Sequence, residues 1–227
     1  MSRRRQLLAA SLALLVLGVV ALVLALSSGG PKTPVSPVVS VPSGAAEPAP
    51  AAGGFEGAAL PEPRPAPGFS LTDQYGRTVS LSSLRGGPVV LAFLYARCGA
   101  PCVLIAQQIR GALDELGEHP AQVAIVSADP AGDTPAAVRD FLAQVSLSGR
   151  VHYLTGSASA LAAVWRAYGV HPASDGRANF ANYATVRLLD AKGRERVLYG
   201  TEQLTPEALA HDIRLLQDAR GGAANAP

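Results

Sequence analysis

Hydrophobic positions divide the chain into a long apolar run near the N-terminus, a segment without periodicity, and a region where short apolar runs alternate with helical patterns. The first run, Leu7 to Leu26, contains no charge and is long enough to span the roughly 30 Å hydrocarbon layer as a helix. Arginines 3 to 5 precede it, and a basic flank stays on the cytoplasmic side of a membrane. The pattern predicts a single-pass transmembrane anchor over residues 1–26, with the rest of the chain extracytoplasmic.

Two other interpretations of this N-terminal segment stay open. A cleaved signal peptide has a similar charge pattern, although its apolar core is usually only about 7–15 residues long. The stretch SRRRQLL also has a weak likeness to a twin-arginine export signal. All three interpretations place the remaining chain outside the cytoplasm, either in a periplasm or on the outer face of the cell membrane.

Residues 27–67 show no periodic apolar pattern and are rich in Pro, Ala, Gly and Ser. Such a segment buries too little apolar surface to offset the entropy of ordering it, and its prolines favour extended stretches. We therefore expect a disordered linker over 27–67. A folded domain is expected over 68–219, followed by a disordered tail over 220–227.

Within this domain, continuous apolar runs alternate with patterns of helical period. The runs PVVLAFLY (88–95) and QVAIVSAD (122–129) are typical of strands buried on both faces. The first is followed by apolar residues at helical spacing, namely Ile105, Ile109, Leu113 and Leu116. Further strands and helices alternate to the C-terminal helix, which predicts an α/β fold with a central mixed sheet flanked by helices. The order of elements resembles a thioredoxin-like domain.

Charge says little about partners, except that it argues against nucleic acid. The chain carries 19 basic and 17 acidic residues, and part of the small excess lies in the N-terminal arginines. A nucleic-acid-binding domain is normally far more basic.

The two cysteines of the chain, Cys98 and Cys102, stand in the stretch YARCGAPCVLI between the first buried strand and its helix. Helical residues four apart are separated by only about 40° around the axis, so both sulfurs should point the same way. The N-terminal end of a helix favours thiolates, and Arg97 adds a nearby positive charge. We expect both sulfurs to be accessible and chemically active.

Two blander roles for the pair are disfavoured. A disulfide closing a loop of about five residues contributes roughly 2 kcal/mol in the chain-entropy model, against about 4.7 kcal/mol for a 100-residue loop. Structural zinc needs four nitrogen or sulfur ligands, whereas the histidines are dispersed over positions His119, His152, His171 and His211. Cu(I) is softer and is selected by thiolates, so a redox dithiol and a copper site both stay open.

Four short motifs, in order, resemble those of the Sco/SenC family of thioredoxin-like proteins. They are FLYARCGAPC around the cysteines, a Ser-x-Asp-Pro-x-x-Asp-Thr-Pro element from Ser127 to Pro135, Leu154-Thr155-Gly156, and a hairpin marked by Leu188, Asp190 and Gly193. The resemblance covers about Phe69 to Gln217. It implies a membrane-anchored metallochaperone that helps to assemble the copper centre of cytochrome c oxidase, with Cys98 and Cys102 as copper ligands.

The chain departs from the family pattern at the chemistry. The family's third copper ligand, a histidine eight residues before the hairpin aspartate, corresponds to Asn182, whose amide oxygen suits Cu(I) poorly. His171, in the preceding loop, is a candidate substitute. The prolines that usually follow each cysteine are replaced by Gly99 and Val103.

Two aspartates in the Ser127–Pro135 element receive different predictions. Asp133 precedes a Thr-Pro helix start and is expected to stabilise that helix end. Asp129 follows a central strand at the sheet edge where sites lie in α/β folds. Together with Arg97, Asp129 is expected to influence the cysteines without binding metal.

Three functions remain at this point. The first is copper-centre assembly, with the copper-bearing subunit of cytochrome c oxidase or another exported thiol or copper protein as partner. The second is a thiol–disulfide oxidoreductase that holds no stable copper, because exchange does not require the missing histidine. The third is a docking module that has kept only the fold.

Overall fold

The computed structural model describes residues 54–119, 121–171 and 186–224, with side chains described up to Ala219. In chain order the elements are β1 (Ala58–Pro65), β2 (Ser70–Thr72), β3 (Thr78–Ser80), a 3-10 turn (Leu81–Leu84), β4 (Val89–Leu94), α1 (Ala100–Leu116), β5 (Gln122–Ser127), α2 (Pro135–Gln144), β6 (His152–Leu154), α3 (Ala158–Tyr168), β7 (Val186–Leu189), β8 (Arg194–Tyr199) and α4 (Pro206–Ala224). The elements predicted between residues 69 and 219 all occur.

Six strands form one mixed sheet in the order β1-β8-β7-β4-β5-β6, while β2 and β3 form a separate hairpin. Strands β4, β5 and β6 are parallel, and β7, β8 and β1 add to them through antiparallel pairings. The predicted α/β architecture with a mixed sheet flanked by helices is therefore confirmed.

Strand β4 is buried along its whole length because both faces of the sheet are covered. Val90, Ala92 and Leu94 pack with apolar residues of α1, α2 and α4. The alternate residues of β4 pack on the other face with the β2–β3 hairpin and α3. This two-sided burial explains the continuous apolar run in the sequence.

The pairing of β4 with β5 positions the loops that follow them. Leu94 and Ser127 are partners at the C-terminal ends of these parallel strands, and the Ala128 amide donates to the Leu94 carbonyl at 2.9 Å. The loop that carries Cys98 and the loop that carries the two aspartates therefore lie side by side.

Two predicted boundaries are wrong. Strand β1 occupies residues 58–65, inside the segment predicted as a disordered linker, and α4 continues to Ala224, past the predicted end of the domain. Strand β1 is almost entirely exposed and is held by backbone pairing with β8, which leaves no apolar pattern to detect. Its prolines, Pro61, Pro63 and Pro65, are compatible with an edge strand.

The chain just before β1 is anchored more firmly than the strand itself. Phe55 is buried in the cluster formed by α1 and α4. The buried carboxylate of Asp212 on α4 accepts hydrogen bonds from the amides of Glu56, at 2.8 Å, and Gly57, at 3.1 Å, and from the Tyr199 hydroxyl. The folded domain thus begins by residue 55.

The predicted transmembrane segment, residues 1–26, lies outside the described residues. Among the helices that are described, none combines the length and the apolar character needed to cross a membrane.

Candidate functional site

Cys98 and Cys102 are joined by a disulfide at the start of α1. Cys98 lies in the loop after β4, where its amide donates to the Tyr95 carbonyl at 3.2 Å, and Cys102 is the third residue of the helix. The two sulfurs therefore meet at the C-terminal edge of the parallel strands.

The two sulfurs differ in solvent exposure more than the sequence suggests. Cys98 is partly exposed, whereas Cys102 has no exposed surface and packs with Ile105 and Ala106 in the core. The expectation that both sulfurs are accessible is wrong, because Cys102 lies on the side of α1 that packs into the core, whereas Cys98 precedes the helix. An attacking group from solvent reaches Cys98 alone.

The helix end places hydrogen-bond donors near Cys98. The Cys102 amide donates to Cys98 Sγ at 3.0 Å, and the first turn of α1 contains no acidic residue. After reduction, this amide and the positive end of the helix dipole favour a thiolate at Cys98.

The residue between Cys98 and the helix is Gly99, which has φ 80° and ψ −149°. A proline, fixed near φ −65°, cannot occupy this position. The amide of Val103 donates to the Gly99 carbonyl at 3.2 Å, and a proline at position 103 would have no hydrogen to donate. Both departures from the family's prolines therefore fit the backbone of this loop.

A buried carboxylate, Asp133, links the cysteine loop to the sheet. Its Oδ1 accepts from the Ala96 amide at 2.7 Å. Its Oδ2 accepts from the hydroxyls of Ser127, at 2.6 Å, and Tyr153, at 2.7 Å. Since Ala96 is two residues before Cys98, Asp133 fixes the path of the loop that presents the reactive sulfur.

Burial also raises pKa values in this cluster. Desolvation raises the pKa of the Asp133 carboxyl, while the hydrogen bonds from Ser127, Ala96 and Tyr153 lower it by less. Desolvation, followed by the charge of Asp133, raises the pKa of Tyr153 well above its usual value. Tyr153 therefore acts as a neutral hydrogen-bond donor throughout the accessible pH range.

The sequence assigned an influence on the cysteines to Asp129, but the carboxylate that accepts from the cysteine loop, at the Ala96 amide, is that of Asp133. Asp129 is half-buried, and its carboxylate accepts from the Gly132 amide at 3.0 Å within its own turn. Helix α2 is capped instead by Thr134, whose hydroxyl accepts from the Ala137 amide at 3.2 Å. The motif marks both aspartates as residues of interest. Which of them faces inwards depends on the positions of Ser127 and Tyr153, whose hydroxyls donate to Asp133. Arg97 is exposed beside the cysteine loop.

The histidines do not gather around the sulfurs in the described part of the chain. His152 Nδ1 lies 3.5 Å from Asp73 Oδ2, and His211 Nε2 lies 3.1 Å from the Gly54 carbonyl oxygen. His119 is exposed. His171 is exposed and is the last described residue before 172–185, so Asn182 lies outside the described residues.

The donors available to a metal ion can be judged from these positions. No group of three or more His, Cys, Asp or Glu side chains in the described ranges is arranged to hold an ion. The two sulfurs, once reduced, are soft donors that fit Cu(I). Within the described ranges, no His, Asp or Glu side chain completes a three-donor group with them.

Comparison with known proteins gives the chain a context. The family model described as SCO1/SenC matches residues 58–217. The chain is similar to the structure of ScoI from Bradyrhizobium japonicum with copper bound, at 28% identity and a TM-score of 0.52, over 67% of this chain and 99% of that one. No curated protein sequence matches it.

Two further solved structures share the fold. One is a SCO1/SenC family lipoprotein from Bacillus anthracis, at 20% identity and a TM-score of 0.61, over 70% of this chain and 99% of that one. The other is apo Sco1 from Thermus thermophilus, at 23% identity and a TM-score of 0.58, over 71% of this chain and 96% of that one.

Proposed function

The chain belongs to the SCO1/SenC family, and we propose that it assists assembly of the copper centre of cytochrome c oxidase by carrying Cu(I) on the thiolates of Cys98 and Cys102. The observation that carries the proposal is the cysteine pair at the N-terminal end of α1. Cys98 is reachable from solvent, and its sulfur accepts a hydrogen bond from the Cys102 amide. Copper is cargo in this scheme, received and then passed on.

The disulfide has to be reduced before copper can bind. Reduction supplies two thiolates, which Cu(I) prefers to oxygen donors, and the helix end offsets part of their negative charge. Asn182 occupies the family's histidine position in the sequence, so the third donor is weak or comes from His171 or the partner. We therefore propose a site that releases copper more readily than one with two cysteines and a histidine.

The N-terminal anchor is part of the same proposal. The uncharged run from Leu7 to Leu26, preceded by arginines, would hold the domain on the extracytoplasmic face of the cell membrane. Similarity to a family member that is a lipoprotein supports a membrane-attached mode of action. The copper-bearing subunit of the oxidase is then a neighbour in the same membrane.

Titration of the reduced chain with Cu(I), in competition with a coloured chelator, tests the copper role. We expect the wild-type chain to bind Cu(I) more tightly than a variant with both Cys98→Ser and Cys102→Ser. Equal affinity of the two chains would eliminate the copper site.

Asn182→His should raise the Cu(I) affinity by about tenfold or more. Substitutions around a metal site typically change metal affinity by about 10- to 100-fold, and tenfold is the lower end of that range. An imidazole added at the family position completes a three-donor set. Asn179→His, in the same segment, is the matched control and should leave the affinity unchanged. An equal effect of both substitutions would mean that position 182 has no special relation to the sulfurs.

A second function, thiol–disulfide exchange, is favoured by the unequal burial of the two cysteines. In the reducing direction, the Cys98 thiolate attacks a partner disulfide, forms a mixed disulfide and releases one partner thiolate. Cys102 then attacks Cys98, which restores the Cys98–Cys102 bond and releases the second partner thiol, so two electrons pass to the partner. An exported thiol reductant has to regenerate the dithiol.

Single-cysteine variants separate the two functions. Cys102→Ser should accumulate a mixed disulfide through Cys98, because no resolving thiol remains. Cys98→Ser should trap little, since Cys102 is buried. If neither variant traps a partner while the wild-type chain binds Cu(I), exchange is not its function. A chain that does neither would fit a docking module.

A further inference from the structure

Helix α1 begins with an uncharged collar, formed by Pro101, Leu104 and Gln107, whereas the loop before Cys98 exposes Arg97. The three collar residues are exposed, and their spacing of three places them on one side of the helix. Leu104 and Tyr75 are the two large hydrophobic side chains that stand out as exposed in the described ranges, with 50% and 59% exposed surface. The first charged residue of the helix after Cys102 is Arg110.

The exposure of Leu104 is not a by-product of core packing. The buried side of α1 is completed by Cys102, Ile105, Ala106 and Ile109, and Leu104 is out of phase with all of them. A solvated helix surface usually carries charged or polar residues at such a position. A single exposed leucine is common on protein surfaces, but this one follows the reactive pair by two residues.

The chemistry of Cys98 indicates what this leucine can contact. Only Cys98 can be reached from solvent, so a partner sulfur has to approach at the start of α1, next to Pro101 and Leu104. Because Leu104 follows Cys102 by two residues, a protein segment that makes this approach comes within reach of the collar. An apolar residue beside the partner's cysteine would bury Leu104. A charged residue placed over Leu104 would lose hydration there, because the collar carries no charge and the exposed Arg97 lies before Cys98 in the loop.

We infer that the collar is a docking surface for the partner and that it selects a cysteine flanked by apolar, uncharged residues, with Leu104 as the specificity-determining side chain. The inference rests on the proposed function, because it assigns the kind of segment with which Cys98 exchanges sulfur or copper. Leu104 takes no part in the bond changes and acts only by contact with the bound segment.

Reduction of the oxidised full-length chain by short thiol peptides tests the inference. The probes are acetylated, amidated Ser-Leu-Cys-Leu-Ser and Ser-Ser-Cys-Ser-Ser, which carry the same charge, with 2-mercaptoethanol as a thiol too small to reach Leu104. Each thiolate attacks Cys98, forms a mixed disulfide and displaces Cys102 as a thiolate. The rate of the first step is followed by stopped flow under pseudo-first-order conditions.

The leucine peptide should react with the wild-type chain about fivefold faster than the serine peptide, since burial of half a leucine side chain lowers the barrier by that factor. Leu104→Ser and Leu104→Gln should reduce the ratio to about one. Tyr75→Ser is the matched control and should retain the fivefold ratio of the wild-type chain. Gln74 bonds to Val151 and Tyr153 at the start of β6, so Tyr75 lies at the opposite end of the parallel strands. All chains should react equally with 2-mercaptoethanol.

Three results would overturn the inference. The first is a ratio of one in the wild-type chain, and the second is a ratio that survives both Leu104 substitutions. The third is a dimer, detected by light scattering, that both substitutions abolish, because the collar would then bind a second copy of this chain.

A failure of the copper proposal would be seen in a different experiment, the Cu(I) titration. Loss of the leucine preference with intact Cu(I) binding removes only the docking surface, and the converse removes only the copper role.

Discussion

Gly99 occupies a backbone conformation that side chains with a Cβ atom rarely adopt, and it lies between the two halves of the reactive pair. The sequence shows only that a proline of the family pattern is missing. The structure shows that the substitution and the backbone of the loop belong together, since the amide of Val103 also needs the Gly99 carbonyl as its acceptor. At this position, local chemistry explains a departure that a motif comparison can only note.

Gly99→Ala should lower the free energy of unfolding of the oxidised chain by about 1–3 kcal/mol, the cost of holding an ordinary residue in a disfavoured backbone region. A Cβ at this position meets no atom within 4 Å, so the effect isolates conformational strain. Gly68→Ala is the control, because Gly68 has the same open surroundings and no positive φ. Urea denaturation of the three chains measures the difference. Equal midpoints would show that position 99 is not strained.

Asp133→Asn should remove one step from the pH dependence of stability. The native pKa of Asp133 is raised above its ordinary value of 3.8, so the folded state holds this proton after the unfolded state has released it. The free energy of unfolding should therefore fall as the pH rises from about 4 through the native pKa, and stay level above it.

Urea denaturation at a series of pH values measures this step. Asp129→Asn should retain it, because Asp133 is still present. A step that persists in Asp133→Asn would assign the titration to another group. The sequence assigned the influence on the cysteines to Asp129, whereas the buried contacts of Asp133 depend on Ala96, Ser127 and Tyr153, which come from three different segments.

At the scale of secondary-structure elements, prediction from sequence succeeded where an element carries its own signals. Helix α2 begins after Thr134 because the threonine hydroxyl accepts from the Ala137 amide, and Thr-Pro marks that start in the sequence. Strand β4 is recognisable from its apolar run. Strand β1 carries no such signal, because its paired residues in β8 lie 129 to 140 positions later and the contact is made by backbone atoms and the Arg64–Glu195 ion pair. Composition alone therefore misplaced it in the linker.

Asp212→Ala should loosen the segment that leads into β1. The change removes the acceptor for the amides of Glu56 and Gly57, at a cost of roughly 2–4 kcal/mol, whereas the Tyr199 hydroxyl can still donate to the Ala208 carbonyl. Limited proteolysis should cut the variant near residues 54–60 much faster than the wild-type chain. Asp218→Ala, at an exposed position of the same helix, should change neither stability nor cleavage. Protection of the segment in Asp212→Ala would mean that Phe55 alone anchors it.

Across the whole molecule, the boundary of the folded domain decides what a soluble fragment has to contain. A fragment starting at Gly54 retains β1 and Phe55, whereas one starting at Gly68 matches the domain predicted from sequence. The shorter fragment loses a buried phenylalanine, which by itself contributes about 1.5–3 kcal/mol, and exposes β8 as an edge. It should unfold at a clearly lower temperature in calorimetry. Equal unfolding temperatures would show that β1 is dispensable.

Some features of the site can be predicted from the sequence, and others depend on the packing of the whole domain. The cysteine pair, its place at a helix start and the family follow from local motifs. The unequal burial of Cys98 and Cys102 and the exposure of Leu104 depend on how α1 packs on the sheet, although the phase of Leu104 relative to Ile105 and Ile109 is visible in the sequence. For a third copper donor the sequence offers the family position, Asn182, and the candidate substitute His171, of which only His171 lies in the described residues.

The prolines of β1 affect how readily two copies of the domain can pair through the edges of their sheets. Pro61, Pro63 and Pro65 carry no amide hydrogen, so the outer margin of this strand offers an incoming strand few donors with which to pair. The opposite margin, β6, is only three residues long. Neither side of the sheet can readily template a β-ribbon that runs from one molecule into the next. Copies of this domain at high local density are thereby protected from aggregating through their sheets.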